Sequence, residues 1–258
     1  NQYFSAKVVR EAAAMTTQIK GEVIPSDKPG SLALAVKRPV GVMVGMAPWN
    51  AATILGFRAV AMPIACGNTV VLKASEKCPR THMLIGECFR RAGFPNGVLN
   101  VITHATEHAP EVVNALVAHP KVKRINFTGS TRVGRIIAET AAKYLKPVLL
   151  ELGGKAPLVI LEDADLDAAV NAAAFGAFMN QGQICMSTER IIVVDKVADE
   201  FVKRFAAKAA KLPFGNPTDK VVLGSVFDYD TIERVDALVA SAVSMGAQVV
   251  AGGVQKGT

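Results

Sequence analysis

The chain has 258 residues, half of them hydrophobic, with a formal charge of +7 and only 6% aromatic residues. That much apolar sequence fills one large domain or two and excludes a disordered or purely linking role. No apolar run reaches the roughly 18 uncharged residues of a membrane-spanning helix, the opening NQYFSAKVVREAAAM is charged where a secretion signal is greasy, and the scattered Lys and Arg argue against nucleic acid.

In chain order, residues 21–36 alternate weakly around Pro25, Pro29 and Gly30, which predicts an exposed hairpin arm. From about residue 40 short Val/Ile-rich runs alternate with helical periodicity, the pattern of βαβ units and a parallel sheet, so an α/β fold is expected. The predicted strands are 40–46, 69–73, 98–102, 124–127 and 148–150, each apolar enough to be covered on both faces. Helices fill the gaps, most clearly 80–92, stopped by Gly93 and Pro95, then 109–118, stopped by Pro120, and 132–144 after the turn Gly129-Ser130. A second cycle reads as strand 157–161, a helix capped near Asp165 and running through 168–179, a loop holding Cys185, and strand 190–194. Helices 198–211 and 231–245 and a strand near 248–251 follow; the chain then stops at GGVQKGT, the expectation for a fragment.

Cys66, Cys78, Cys88 and Cys185 form no CxxC or Cys/His array, so neither a zinc site nor a disulfide framework is signalled, and a reducing cytoplasm is the expected compartment. Cys185, in GQICMS, reads either as a nucleophile or as one more small buried hydrophobe. Glu151, in VLLELGGK, ends an apolar strand, where it is either a general base made harder to ionise or a helix-capping or ion-paired carboxylate. Asn50, in APWN, is either an oxyanion donor or an ordinary turn residue. FTGSTRVG puts small residues between a strand and a helix, where backbone N–H groups meet a phosphate or merely make a tight turn. Lys73 and Glu76, in VLKASE, either hydrogen-bond ribose hydroxyls or form a solvated surface pair.

Together the five segments APWN, LKASE, FTGST, LELGGK and GQICMS, in that order, resemble the aldehyde dehydrogenase family, and GNP at 215–217 and GAQVVAGG at 246–253 extend the likeness. The local phrasing GEVIPSDKPGS, ILGFRAVAMPIACGNTVVLKASE and NQGQICMSTERII is most similar to bacterial salicylaldehyde dehydrogenases, with vanillin and benzaldehyde dehydrogenases next. The resemblance implies a parallel-sheet, Rossmann-type cofactor domain, an incomplete α/β catalytic domain and a β-hairpin arm. By it, residues 1–20 form a helix of the cofactor domain, 21–39 the bridging or oligomerisation arm, 40–151 the NAD-binding domain and 152–258 the partial catalytic domain.

The resemblance also implies NAD as cofactor, an aldehyde as substrate, no metal and a homo-oligomeric family. It makes Cys185 the nucleophile, Glu151 the general base and Asn50, with the Cys185 backbone N–H, the oxyanion hole. Lys73 and Glu76 would hold the adenosine ribose; Ser130 and Trp49 would touch the pyrophosphate, which Gly129 lets approach; Ser75 and Gly153 complete the cofactor set. Phe178 and Met186 are expected apolar contacts for an aromatic ring. The surplus positive charge fits an anionic dinucleotide. An acylating relative, which passes the acyl group to coenzyme A, would lack Glu151. The family's later Glu-x-Phe-Gly-Pro motif, part of its cofactor domain and its C-terminal pairing strand lie outside this chain, so a non-catalytic dinucleotide-binding fragment or a residual thiol esterase stands as the alternative.

Overall fold

Helix α1 (Gln2–Ala14) and a 3-10 turn lead into the antiparallel hairpin of β1 (Glu22–Ile24) and β2 (Ala33–Ala35). Val23, Leu32 and Leu34 are exposed on it, as an arm and not a core strand requires. The computed structural model describes residues 2–254, which fall into two units, Asn1–Gly153 and Gly154–Thr258.

The first unit is built on β3 (Val42–Met46), α2 (Ala52–Ala65), β4 (Thr69–Lys73), α3 (Pro79–Arg91), β5 (Leu99–Ile102), α4 (Ala109–Ala118), β6 (Val122–Thr128), α5 (Thr131–Ala142) and β7 (Val148–Glu151). The strands lie in the order β5-β4-β3-β6-β7, all parallel. Alternation on β3 sends Met43 into the core under α2 and α3, and Val44 and Met46 into the core under α4 and α5. Val44, Val60, Val70, Leu72 and Ile125 are fully out of water. Each such side chain is worth about 1.5–3 kcal/mol, enough to hold the strand ends rigid. Gly45 lets α2 close on the sheet, since a Cβ there would stand 3.1 Å from the Ala59 Cβ and 3.2 Å from its carbonyl oxygen.

β3 has β4 and β5 on one side and β6 and β7 on the other, so the chain reverses direction across the sheet between β3 and β6. In doubly wound sheets the ligand crevice opens at the carboxyl ends of the strands at that reversal. The register aligns these ends, pairing Met46 with both Lys73 and Phe127, Lys73 with Ile102, and Thr128 with Glu151.

In the second unit β8 (Ala156–Ile160) pairs in parallel with β9 (Thr188–Val193), and α6 (Leu166–Phe178) crosses between them. Asp165 caps α6 as its sequence predicts, accepting from the Asp167 and Ala168 N–H groups. Ile160, Val170, Ala173 and, from α7 (Asp195–Ala210), Phe201 form the core. The unit continues into α8 (Tyr229–Ser244), capped by Asp228. The strand expected near 248–251 does not form. Val249 and Val250 are exposed, and no described strand pairs with the segment, so its β-branched residues have no ladder to join.

Candidate active site

The turn after β3 carries Trp49 and Asn50, both half-buried, and Asn50 Oδ1 accepts from the Ala51 N–H at 3.0 Å just before α2 begins. Across the reversal, β6 ends in Gly129-Ser130. A Cβ on Gly129 would stand 2.4 Å from the Phe127 ring, so any larger residue there has to displace that ring. Ser130 Oγ caps α5 by accepting from Val133 N–H at 3.3 Å, which leaves the other N–H groups of that first turn without helical partners. Trp49, Asn50, Gly129 and Ser130 thus flank the reversal from its two sides.

One strand over, Lys73 Nζ donates to Glu76 Oε2 at 3.5 Å. Burial lowers the Lys73 pKa against the raising effect of Glu76. For Glu76 burial works the other way, but its backbone hydrogen bond, Lys73 and His104 outweigh it and hold the carboxyl below its ordinary range. An ionised, half-buried acceptor is what a pair of ribose hydroxyls requires. Ser75 is buried, and its hydroxyl accepts from Lys77 N–H at 3.3 Å, so it shapes the turn that presents Glu76.

Glu151 ends β7, and its carbonyl accepts from the Gly129 N–H at 3.0 Å. Its side chain is exposed, as is Leu149 on the same side of the strand, so the apolar surroundings expected from VLLE are not what it meets within the first unit. The cause is position, because β7 is an edge strand. A Cβ on Gly153 would meet nothing within 4 Å.

Cys185 belongs to the second unit, where it is exposed on the loop from α6 to β9. Exposure does not single it out, since Cys66 and Cys88 are exposed and only Cys78 is half-buried. Its loop does. Asn180, Gln181 and Gly182 take φ of 51°, 56° and 70°, a left-handed run that costs Gln181 in particular and persists only where its surroundings hold it. Gln183 Nε2 donates to the Asn180 carbonyl at 3.1 Å, and Gln183 Oε1 accepts from the Phe227 N–H at 2.9 Å. The Gln181 amide, turned to satisfy both neighbours, accepts from the Gly224 N–H at 2.6 Å and donates to the Asn180 carbonyl at 3.2 Å. Two glutamines therefore fasten the Cys185 loop to the segment before α8. Gly176 lets the loop's exit pack close on α6, because a Cβ there would stand 2.3 Å from Thr188 Oγ1. Of the expected ring contacts, Met186 is 75% exposed beside Cys185, but Phe178 stacks on Phe205 at 5.9 Å and belongs to the packing of α6 on α7.

Sequence reasoning missed both glutamines and His82 of α3, which is fully buried behind the Glu76 turn. The signal for His82 was a histidine on the apolar face of an amphipathic helix, a position that demands buried partners.

The model of the aldehyde dehydrogenase family matches residues 3–258. The chain belongs to the aldehyde dehydrogenase family. It is 61% identical over 254 residues to a vanillin dehydrogenase of Pseudomonas sp. (strain HR199 / DSM 7063), covering 98% of this chain and 53% of that protein. Among solved structures, a salicylaldehyde dehydrogenase from Pseudomonas putida G7 complexed with salicylaldehyde superposes with a TM-score of 0.96 at 50% identity, covering 99% of this chain and 53% of that one. PnpE in complex with nicotinamide adenine dinucleotide superposes at 0.89 with 38% identity, over 97% of this chain and 51% of that one. The chain thus spans about half the length of the family members it matches. No helix of the described residues is long and apolar enough to cross a membrane, and among them no group of three or more His, Cys, Asp or Glu is placed to hold a metal.

Proposed function

We propose that the chain carries the dinucleotide-binding and nucleophilic parts of an NAD-dependent dehydrogenase that oxidises an aromatic aldehyde to its acid through a cysteine thioester. The observation that carries the reading is the convergence of Trp49, Asn50, Lys73, Glu76, Gly129 and Ser130 on one edge of a doubly wound sheet, at and beside its reversal. The aromatic substrate is supported by similarity to the vanillin and salicylaldehyde enzymes. In this reading Lys73 and Glu76 hold the adenosine ribose, while the capped start of α5 with Gly129, Ser130 and Trp49 holds the pyrophosphate. Ser75 shapes the ribose turn, and Gly153, after β7, leaves open space on the cofactor side of the sheet.

The Cys185 thiolate adds to the aldehyde carbon, and the Asn50 side-chain amide and Cys185 backbone N–H donate to the resulting oxyanion. NAD, when bound, supplies the acceptor for the hydride lost as the adduct becomes a thioester. Glu151 then takes a proton from water, the hydroxide adds to the thioester carbon, and the Cys185 thiolate leaves to release the carboxylic acid. The exposed hairpin arm is the proposed bridging segment of a homo-oligomer.

The test is a panel of salicylaldehyde, vanillin, benzaldehyde and an aliphatic semialdehyde, each with NAD and with NADP, read at the NADH band. Oxidation of the aromatic members with NAD is expected. Dinucleotide binding without turnover would reduce the chain to a binding fragment, and hydrolysis of an activated ester alone would reduce it to a thiol esterase.

A further inference from the structure

Behind the turn that presents Glu76 lies the imidazole of His82, fully buried on α3. Its Nδ1 lies 3.0 Å from the Ser75 backbone nitrogen and its Nε2 lies 3.1 Å from the Ala52 carbonyl oxygen. A backbone N–H only donates and a carbonyl only accepts, so one protonation state satisfies both contacts: the neutral ring with its hydrogen on Nε2. Ser75 precedes Glu76 directly, and Ala52 opens α2 just after Asn50. The ring therefore ties the turn leaving β4 to the turn leaving β3. It has room there because α2 carries Gly56, where a Cβ would stand 3.0 Å from His82 Cδ2 and 2.3 Å from Ile85 Cδ1.

We propose that His82 is a positioning residue for the cofactor, which as the neutral Nε2–H tautomer holds the Ser75-Glu76 turn at the height of the Asn50 turn so that the Glu76 carboxylate meets both ribose hydroxyls. The inference rests on the ribose reading of Glu76. His82 touches neither dinucleotide nor aldehyde; it acts through the Ser75 amide.

Asparagine places an oxygen where Nδ1 sits and keeps the acceptor for Ser75, whereas glutamine places a nitrogen where Nε2 sits and keeps only the donor to Ala52. Asparagine removes more volume than glutamine, so a ring that merely fills space is missed more in His82→Asn, the reverse of the order a hydrogen-bonded ring gives. Amide hydrogen exchange at Ser75 and NAD titration are measured in the unmodified chain, His82→Asn and His82→Gln. His82→Asn is expected to keep the Ser75 amide protected and NAD affinity within about threefold, while His82→Gln frees the amide and weakens NAD by about tenfold, the loss of one well-buried hydrogen bond. Equal effects of the two substitutions, or the larger effect in His82→Asn, overturn the proposal. Absence of NAD binding in the unmodified chain, with the exchange pattern split as described, overturns the ribose reading and with it the cofactor role of His82, leaving only its tie to the Ser75 amide. Should both variants fail to fold, nitrogen-15 NMR of the unmodified ring decides: a protonated Nε2 with a bare Nδ1 supports the proposal, and the opposite tautomer overturns it.

Discussion

The Gly129 amide donates to the Glu151 carbonyl at 3.0 Å, so the proposed phosphate turn and the end of the strand bearing the proposed general base are one hydrogen-bonded unit. Glu151→Gln leaves that backbone bond intact and removes only the proton acceptor. Thioester hydrolysis should therefore fail while acyl-enzyme formation survives, giving a burst of NADH without steady turnover. Equal loss of both phases in a stopped-flow trace would assign Glu151 to thiol activation or folding instead.

Cys185→Ala should abolish aldehyde oxidation, and alanine at Cys66, Cys78 or Cys88 should not. Because Cys66 and Cys88 are also exposed, thiol labelling alone does not identify the nucleophile, and the comparison has to be made on turnover. Retained activity in Cys185→Ala with loss in Cys66→Ala would reverse the assignment.

The Glu76 carboxyl is held below its ordinary pKa and is charged at neutral pH, so it should repel the 2′-phosphate of NADP, which also removes a ribose donor. In a partly wet site this is worth about 1–3 kcal/mol, or roughly ten- to a hundredfold in affinity, with Lys73 softening it. Titration of both dinucleotides should favour NAD, and Glu76→Gln should narrow the gap mainly by improving NADP. Equal or tighter NADP binding by the unmodified chain would sink the role given to Glu76.

Gln183→Ala removes the acceptor of the Phe227 N–H and the donor to the Asn180 carbonyl, and with them a restraint on the left-handed stretch ahead of Cys185. The expected cost is about 0.5–1.5 kcal/mol per hydrogen bond in the stability of the second unit, with a smaller acylation burst at unchanged NAD affinity. Thermal melting and burst amplitude check it, and an unaltered burst would make the restraint purely structural.

Burial pushes the His82 pKa below the ordinary histidine value, outweighing the Ala52 hydrogen bond, with Lys73 pushing the same way. Between the depressed folded value and the unfolded one near 6.5 the unfolded chain holds more protons, so stability rises with pH there. The contribution is complete above about pH 6.5 and is lost as the pH falls through the folded value. Melting of the unmodified chain from pH 8 to 5 should decline more steeply than that of His82→Asn; parallel curves would show that His82 does not set the slope.

The strands and helices of the sheet unit were legible because they carry strong periodicity and clear stops: Gly93 and Pro95 ended one helix, and Asp165 announced the start of another. The motif turns were legible because Gly129 and Asn50 sit where an apolar run gives way to helical spacing. What stayed hidden depends on distant partners. Gln183 looks like any polar loop residue until Phe227, far along the chain, supplies its N–H. Phe178 is near the nucleophile in sequence, but its ring stacks on Phe205, a neighbour the local sequence does not reveal. Residues 248–251 had the composition of a strand without a partner edge to make them one.

The close fit of the imidazole against α2 has an evolutionary corollary. With Gly56 facing Ile85 and His82 across one space between two helices, a methyl group at residue 56 has to be answered at both: it would stand 2.3 Å from Ile85 Cδ1 and 3.0 Å from His82 Cδ2. Among related sequences a larger residue at position 56 should therefore come with changes at positions 85 and 82 together, although these lie on a different helix and only position 82 borders the turn that presents Glu76.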